Sequence, residues 1–557
     1  MNNILKVKNF SHYVFLLGAI ALGAILRFWH LDLKSLWMDE VITAIFSLGK
    51  NYQDLPLDVV FPLNRIQEIF TFKSGVSCSE IAHNIATQST HPPLFFCGMY
   101  RWLGWLTPLG NDWVTKLRSL PALFGVGAIA AIYGVNRIAF SRTSGIVAAF
   151  LMAVSPFAVY LSQEARHYTL PMFLITLSLL GLMQIQQDIV QGRMRFWVWL
   201  FWGVINIFGL YVHYFFILAW IAEIATLLIV TYRGEFQQVS KHKILLALTI
   251  STGSVIIGFL PWILVTFSHA QRSETHWLPS PMIIAPFYQT LINWMLMIIA
   301  LPVENQSLII TIFCGLLMLT FAIWAGLIIF QGLKQLWLQD TTHLATFTLI
   351  SFTGFILLQC FGIAYLFGED ITAIPRYSFV YYPSFCTLLA ASIVKSKKLQ
   401  SQRKKIITIF IFVGLLSSIF VVFNLIFQKP FQPERVAQNM NQKPSISLML
   451  VVTYENYQDV ALGLSFALAL EQIRSQTSEF DSFAALQRYP SLSAVWEKLS
   501  QLSISVTSPL NLWIVGPGMR RRDYPQQLTL SEQRTCTIDP KQHYRIGIPY
   551  QLYRCGK

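Results

Sequence analysis

Long apolar runs with few or no charges recur along the chain, and a polypeptide so patterned has to place them in a membrane. A helix rising ~1.5 Å per residue needs about 20 such residues to cross the ~30 Å of hydrocarbon. Eleven runs meet the requirement, at 11–31, 119–140, 144–162, 169–187, 196–212, 214–232, 244–267, 306–331, 344–367, 377–394 and 406–427. The composition agrees: 54% of residues are hydrophobic and 12% charged, whereas soluble globular proteins carry about 25% charged residues. A large soluble enzyme and a disordered chain are both excluded. Two shorter apolar stretches, 93–107 and 286–302, predict juxtamembrane helices lying in the interface.

Charge sets the orientation. With the N-terminus inside, the loops expected on the cytoplasmic side hold sixteen Lys or Arg against Asp188, Glu235 and Asp340, a strong positive-inside bias. Counting 93–107 or 286–302 as a full crossing would break that pattern. The net charge of +14 thus reads as topology, and nothing in it implies nucleic acid. No small-residue cleavage site follows the first run, where Arg27, Phe28, Trp29 and His30 stand, so a retained first helix is expected.

After Phe427 the apolar runs give way to Pro430, Pro433, Pro444 and mixed polar sequence. The expected organisation is a transmembrane domain over 1–427, with an external loop at 32–118 containing the juxtamembrane helices, and a small external α/β domain over 428–557. Strand-like runs at 447–453 and 511–515 flank a helical pattern at 456–472. Cys536 and Cys555 fall in this external tail, where they can pair or remain as buried thiols. The run Arg520, Arg521 and Arg522 lacks the interleaved aromatics of a base-stacking surface and reads as a solvated face.

Four clusters, all on the external side of this topology, carry candidate chemistry. Trp37-Met38-Asp39-Glu40 follows the first span, and adjacent acids there suit either a general base or a helix cap. Thr90-His91-Pro92-Pro93 offers His91 as a donor to a phosphate or a sugar. Gln163-Glu164-Ala165-Arg166-His167-Tyr168 ends the third span, and acids, Arg and His gathered at a membrane boundary are costly unless they are paired, solvated or line a cavity. Arg376-Tyr377 precedes the tenth span, and the forked guanidinium suits a phosphate, although snorkelling beside Tyr377 explains it equally. His213, Tyr214, Arg272, Glu274 and His276 also face outside, in uninformative context. No Gly-rich phosphate loop, H-E-x-x-H or G-x-S-x-G is present.

Taken in order, Trp37-Met38-Asp39-Glu40, His91-Pro92-Pro93-Leu94, Arg118-Ser119-Leu120-Pro121 and Gln163-Glu164-Ala165-Arg166-His167-Tyr168 resemble glycosyltransferase family 39 and its relatives. These are polyprenyl-phosphate-sugar-dependent enzymes that include protein O-mannosyltransferases and lipid A aminoarabinose transferases. The resemblance covers residues 10–190 and extends more weakly to Arg376-Tyr377. It implies an all-α polytopic membrane protein of about eleven transmembrane helices with the C-type glycosyltransferase fold. It also implies a site at the external membrane boundary, in a bacterial-type plasma membrane.

By that resemblance the enzyme moves a sugar from a polyprenyl-phosphate donor to an acceptor hydroxyl with inversion. Asp39 is the general base, with Glu40 and Glu164 as further catalytic acids. Arg166, Arg376, Tyr377 and His91 hold the donor phosphate, and His167 and Tyr168 contact the acceptor or line the cavity. Glu164 stays open between binding the acceptor, orienting a donor group and joining Asp39 around Mg²⁺ or Mn²⁺. Partners would be membrane lipids and a glycan, lipid or protein acceptor. The rival expectation is a transporter or flippase for lipid-linked sugars, which would place its ionisable groups near the bilayer midplane rather than at the external helix ends.

Overall fold

The computed structural model describes residues 2–234, 238–272, 278–395, 401–474, 480–502, 509–530 and 534–556, for residues 2–11 the backbone alone. The chain clusters into two compact units. One comprises Met1–Leu31, Ser89–Phe95 and Arg118–Phe427, the other Asp32–Gln88, Phe96–Leu117 and Gln428–Lys557. The loop expected to belong with the transmembrane helices thus clusters largely with the C-terminal tail.

The first unit is helical. Every expected span falls on a helix, or on a bent pair in the case of Arg142–Ala153 and Pro156–Ser162. Among the described residues six helices are long and apolar enough to cross a membrane alone, or seven if that pair, bent by 58°, is one span. His12–Phe28, Phe196–Leu210 and Phe216–Tyr232 are shorter apolar helices. The sequence reading of eleven also includes these shorter helices, extended by flanking apolar residues. The run at 377–394, for instance, starts in a 3-10 helix, Pro375–Val380, and becomes α-helical only over Tyr382–Lys395. The apolar stretches at 93–107 and 286–302 contain the 12-residue helices Leu94–Trp105 and Ala285–Leu296. Outward-facing side chains are apolar, with Ile309 81% and Leu264 78% exposed, as lipid-facing surfaces require.

The break between Arg142–Ala153 and Pro156–Ser162 frees backbone carbonyls inside the bundle, where each must find a donor. Arg27, fully buried on the first helix, donates to Met152 O at 2.9 Å and to Ala153 O at 3.0 Å. Ser418 Oγ donates to Val154 O at 2.8 Å. Ser155 caps the second half, its Oγ accepting from Ala158 N, and also donates to Met297 O at 2.8 Å. Glycine makes room for the clamp: a Cβ at Gly125 would collide with Ser162 and lie 2.9 Å from Arg27 Nε. A second buried guanidinium, Arg118, donates to Leu31 O at 2.5 Å.

The second unit holds a seven-stranded sheet of order β1-β3-β2-β4-β7-β6-β5. The strands are β1 (Phe61–Pro62), β2 (Ser447–Tyr454), β3 (Ser482–Gln487), β4 (Leu510–Val515), β5 (Gln527–Thr529), β6 (Thr535–Ile546) and β7 (Ile548–Cys555). The central trio β3-β2-β4 is parallel, and its near-continuous apolar sequences match strands covered on both faces. The first loop joins this unit by pairing. β1 runs antiparallel to β3, and Asp58 Oδ1 accepts from Gln487 N at 2.9 Å and from Lys498 Nζ at 2.8 Å.

The helix Tyr457–Arg474 packs against Met38–Ser47. At its end Arg474, 1% exposed, forms a bidentate pair with Asp481 at 2.5 and 3.0 Å and also donates to Asn441 Oδ1 and Ile446 O. These partners compensate the desolvation of both charges. The tri-arginine run is exposed apart from Arg521 donating to Pro540 O.

Cys536 and Cys555, facing residues on β6 and β7, are disulfide-bonded, as are Cys78 and Cys97. Cys314, Cys360 and Cys386 are free thiols. Alkylation of denatured protein without reductant is therefore expected to label three cysteines, and after reduction all seven. Labelling of seven without reductant would contradict the pairing.

Candidate active site

In the first unit the residues at 163–168 form a tight connection between Pro156–Ser162 and Thr169–Val190. All of them are buried, with Glu164 4%, Arg166 2%, His167 1% and Tyr168 2% exposed. Gln163 fixes the turn by donating to Leu26 O and Trp29 O at 3.1 and 2.9 Å, while Arg166 N donates to Glu164 O at 2.7 Å. The polar side chains are thereby held in protein rather than lipid.

Tyr168 is the centre of a cationic cluster. The guanidinium carbon of Arg166 lies 5.5 Å from its ring centroid and that of Arg376 5.8 Å, with Arg376 also 5.5 Å from the Tyr377 ring. All three distances are within cation–π range. Arg376 and Tyr377 sit on the 3-10 helix Pro375–Val380. The segment before it is anchored by Asp370, whose Oδ1 accepts from Thr372 N at 3.0 Å, and by Asn293 Nδ2 donating to Thr372 O at 2.9 Å.

Three imidazoles complete the cluster. Arg166 Nη2 lies 3.2 Å from His91 Nε2. A guanidinium only donates, so this nitrogen accepts, leaving the His91 proton on Nδ1, 3.1 Å from Ser89 Oγ. His213 Nδ1 accepts from Phe215 N at 3.0 Å, which puts its proton on Nε2. The His167 ring stands 4.8 Å from His91 and 4.7 Å from His213, and neither of its nitrogens has a hydrogen-bond partner among the described residues. Burial first, and then the positive charge of Arg166, holds all three below the usual histidine range, His213 at about 3. At neutral pH they are uncharged donors and acceptors beside two fixed cations.

The structure thus brings together His91, Glu164, Arg166, His167, Tyr168, Arg376 and Tyr377, which the sequence had spread over nearly 300 residues. It adds His213, whose signal was a histidine between two apolar helices, Phe196–Leu210 and Phe216–Tyr232. Nearby, Arg272 Nη1 donates to Ser89 O at 2.7 Å, and Tyr214 Oη meets His269 Nδ1 at 2.8 Å. Glu274 and His276 lie outside the described residues.

Asp39 and Glu40 belong to the second unit, in the first turn of Met38–Ser47. Glu40 is buried and its Oε2 accepts from Trp37 N at 3.4 Å, the contact a helix cap makes. Asp39 is only partly buried, and its backbone carbonyl accepts from Thr43 Oγ1 at 3.0 Å. Lys429 Nζ lies 4.3 Å from the Trp37 ring. Among the described residues no three His, Cys, Asp or Glu gather in a set that could hold a metal ion.

Residues 91–264 match the family described as dolichyl-phosphate-mannose-protein mannosyltransferase. ArnT of Cupriavidus metallidurans superposes on this chain with a TM-score of 0.54 at 10% identity, both in the crystal structure bound to undecaprenyl phosphate and in the apo state. The superpositions cover 97% and 98%, respectively, of each chain. Residues 91–264 are thus similar to that mannosyltransferase family, and the chain has the fold of ArnT. The oligosaccharyltransferase AglB of Archaeoglobus fulgidus, in complex with an inhibitory peptide and a dolichol-phosphate, gives a TM-score of 0.48 at 11% identity over 92% of this chain and 70% of its own. A comparison with curated proteins gives no match. The family match opens at His91 and spans the 163–168 connection and His213, while Arg376-Tyr377 and Asp39 lie outside it.

The neutral histidines predict a pH effect of definite sign. The unfolded chain takes up their protons as pH falls below about 6.5, whereas the folded chain resists until far lower pH. Stability is then full above that value and is lost progressively below it. The thermal midpoint should fall between pH about 7 and about 5, and His213→Gln should flatten that fall. A midpoint that rises on acidification would contradict the buried neutral assignment.

Proposed function

We propose that the chain transfers a sugar from a polyprenyl-phosphate donor to an acceptor hydroxyl at the external face of the membrane, with inversion at the anomeric carbon. The observation that carries this reading is the placement of both Arg166 and Arg376 at Tyr168, each guanidinium carbon within 6 Å of its ring centroid. Two guanidiniums and neutral imidazoles suit a phosphate that gains negative charge as it leaves. Undecaprenyl phosphate bound to ArnT, a protein of the same fold, supports a donor of that class. The disulfides of the second unit suit an oxidising, external compartment.

In the proposed reaction the acceptor oxygen attacks the anomeric carbon from the face opposite the phosphate. The bond from that carbon to the phosphate oxygen breaks, and its electron pair leaves with the phosphate. The acceptor proton passes to the Asp39 carboxylate. Arg166 and Arg376 stabilise the departing phosphate, with the His213 Nε2–H and the Tyr377 hydroxyl as neutral donors. Glu164 is assigned to orienting the donor sugar, and His167 and Tyr168 to lining its cavity.

The test is release of polyprenyl phosphate from a panel of polyprenyl-phosphate sugars supplied with a membrane extract. Asp39→Asn keeps the side-chain volume and should lower turnover ~10²–10⁴-fold, as expected for loss of a general base. Arg376→Ala should lower kcat/KM by ~10²–10³-fold. Full turnover in Asp39→Asn would remove the base assignment. Donor translocation across vesicles without sugar transfer would instead favour the flippase.

A further inference from the structure

The second unit contains a cavity of about 940 Å³, near the upper end of the ~300–1,000 Å³ range of small-molecule sites. It is walled by the loop after the first span, the 3-10 helix Leu63–Phe70, the turn at 107–115 and the end of the helix Tyr457–Arg474.

Its aromatic surfaces are fixed from behind. Trp113 stacks on Phe70 with ring centroids 5.0 Å apart at 15°, and Phe72 stacks on Tyr100 at 4.8 Å and 23°. A hydrogen-bonded chain runs along the same wall: Trp113 Nε1 donates to Gln67 Oε1 at 2.9 Å, and Gln67 Nε2 donates to Glu471 Oε2 at 3.0 Å. Indole, amide and carboxylate are therefore held in place before any ligand arrives, which reduces the ordering cost of binding.

The charge of the lining narrows the occupant. Asp32, Glu68, Asp112 and Glu471 line the cavity against one basic side chain, Lys34. Two of these acids are paired with residues outside the lining, Glu68 with Arg65 at 2.6 Å and Asp112 with Lys116 at 3.0 Å. Such a wall disfavours a phosphorylated ligand, the reverse of the Arg166–Arg376 cluster. Carboxylates, amides and the hydroxyls of Thr71 and Thr115 suit ligand O–H and N–H donors, while Phe72 and Trp113 suit apolar C–H faces. Neither edge strand of the sheet, β1 or β5, lines the cavity, so a peptide would lack the main-chain pairing that commonly holds extended chains.

From this lining we infer that the cavity is a carbohydrate site for the glycan part of the acceptor, taking neutral or amino sugars rather than sugar phosphates. The inference rests on the transferase reading and deepens it, because the cavity and Asp39 share a scaffold. The helix that closes the cavity through Leu468, Ala469, Glu471 and Gln472 packs on Met38–Ser47, and Ser465 Oγ donates to Leu36 O at 2.6 Å. The acceptor's sugars would be held by the same unit that supplies its general base.

The test uses full-length protein in detergent without donor. Saturation-transfer NMR measures binding of pentamers of N-acetylglucosamine, glucosamine, mannose and glucose, of mannose 6-phosphate, and of pentalysine. At least one pentasaccharide should bind and mannose 6-phosphate should not. Phe72→Leu, which keeps an apolar side chain but removes the aromatic face, and Glu471→Gln should each weaken that binding about tenfold, as expected for losing ~1.4 kcal/mol of contact. Undecaprenyl phosphate binding, followed on the same samples, should be unchanged in both variants and reports on folding and on the donor reading separately. The inference is overturned if no pentasaccharide binds, if both variants bind like the wild type, or if pentalysine alone binds. Loss of undecaprenyl phosphate binding by the wild type would instead overturn the transferase reading.

Discussion

A helix interrupted inside a membrane protein exposes carbonyls that water cannot reach, and the site in the first unit depends on how this chain satisfies them. Arg27 and Ser418 donate to the three carbonyls at 152–154, so the 58° bend is stable without solvent. The bend shortens the following helical segment to Pro156–Ser162, which ends early enough for 163–168 to remain enclosed by protein. Pro156 has no N–H with which to continue the first segment, so the helix breaks there, and the clamp satisfies the carbonyls that the break leaves. The cost of burying one arginine on the first helix is thus offset by the hydrogen bonds that allow a second, Arg166, to be used for chemistry.

The cluster that results combines fixed positive charge with uncharged imidazoles. Desolvation and the field of Arg166 keep His91, His167 and His213 neutral, so the positive charge facing a ligand comes from the guanidiniums. That distinction matters for a leaving phosphate. Arginines supply a field independent of pH, and a neutral imidazole adds a directional N–H without further charge repulsion. The tautomers follow from simple donor counting: the Arg166 contact fixes the His91 proton on Nδ1, and the Phe215 amide fixes the His213 proton on Nε2.

Much of the first unit was legible in the sequence, because lipid imposes a length and composition that a scan can read. The positions of the helices followed from it. The number that cross does not follow from helix length alone, since apolar helices such as Phe196–Leu210 and Phe216–Tyr232 are shorter than a full span. Glu164, Arg166, His167 and Tyr168 were legible because charged groups at a membrane boundary are expensive. Arg27 was not, since an arginine at the end of an apolar run reads equally as a snorkelling anchor, and its carbonyl partners are 125 and 126 residues away. The second unit was less legible. The parallel core strand β2 and the helix after it showed their patterns, whereas β3, the mixed surface strand β6 and the two-residue β1 depend on pairing partners distant in sequence. The bond between Cys78 and Cys97 had no spacing signal, and the 32–88 loop clusters with the tail through contacts more than 400 residues apart.

The central claim is that Arg166 and Arg376 together hold the phosphate of a lipid carrier. Native mass spectrometry of the purified chain titrated with undecaprenyl phosphate tests it most directly, comparing the wild type with Arg166→Gln, Arg376→Gln and the double variant. The account predicts binding by the wild type, a loss of at least about tenfold in each single variant, and a double-variant loss that differs from the sum of the two, since both cations would contact one ligand. Wild-type-like affinity in the double variant would show that the cluster only anchors the helix ends.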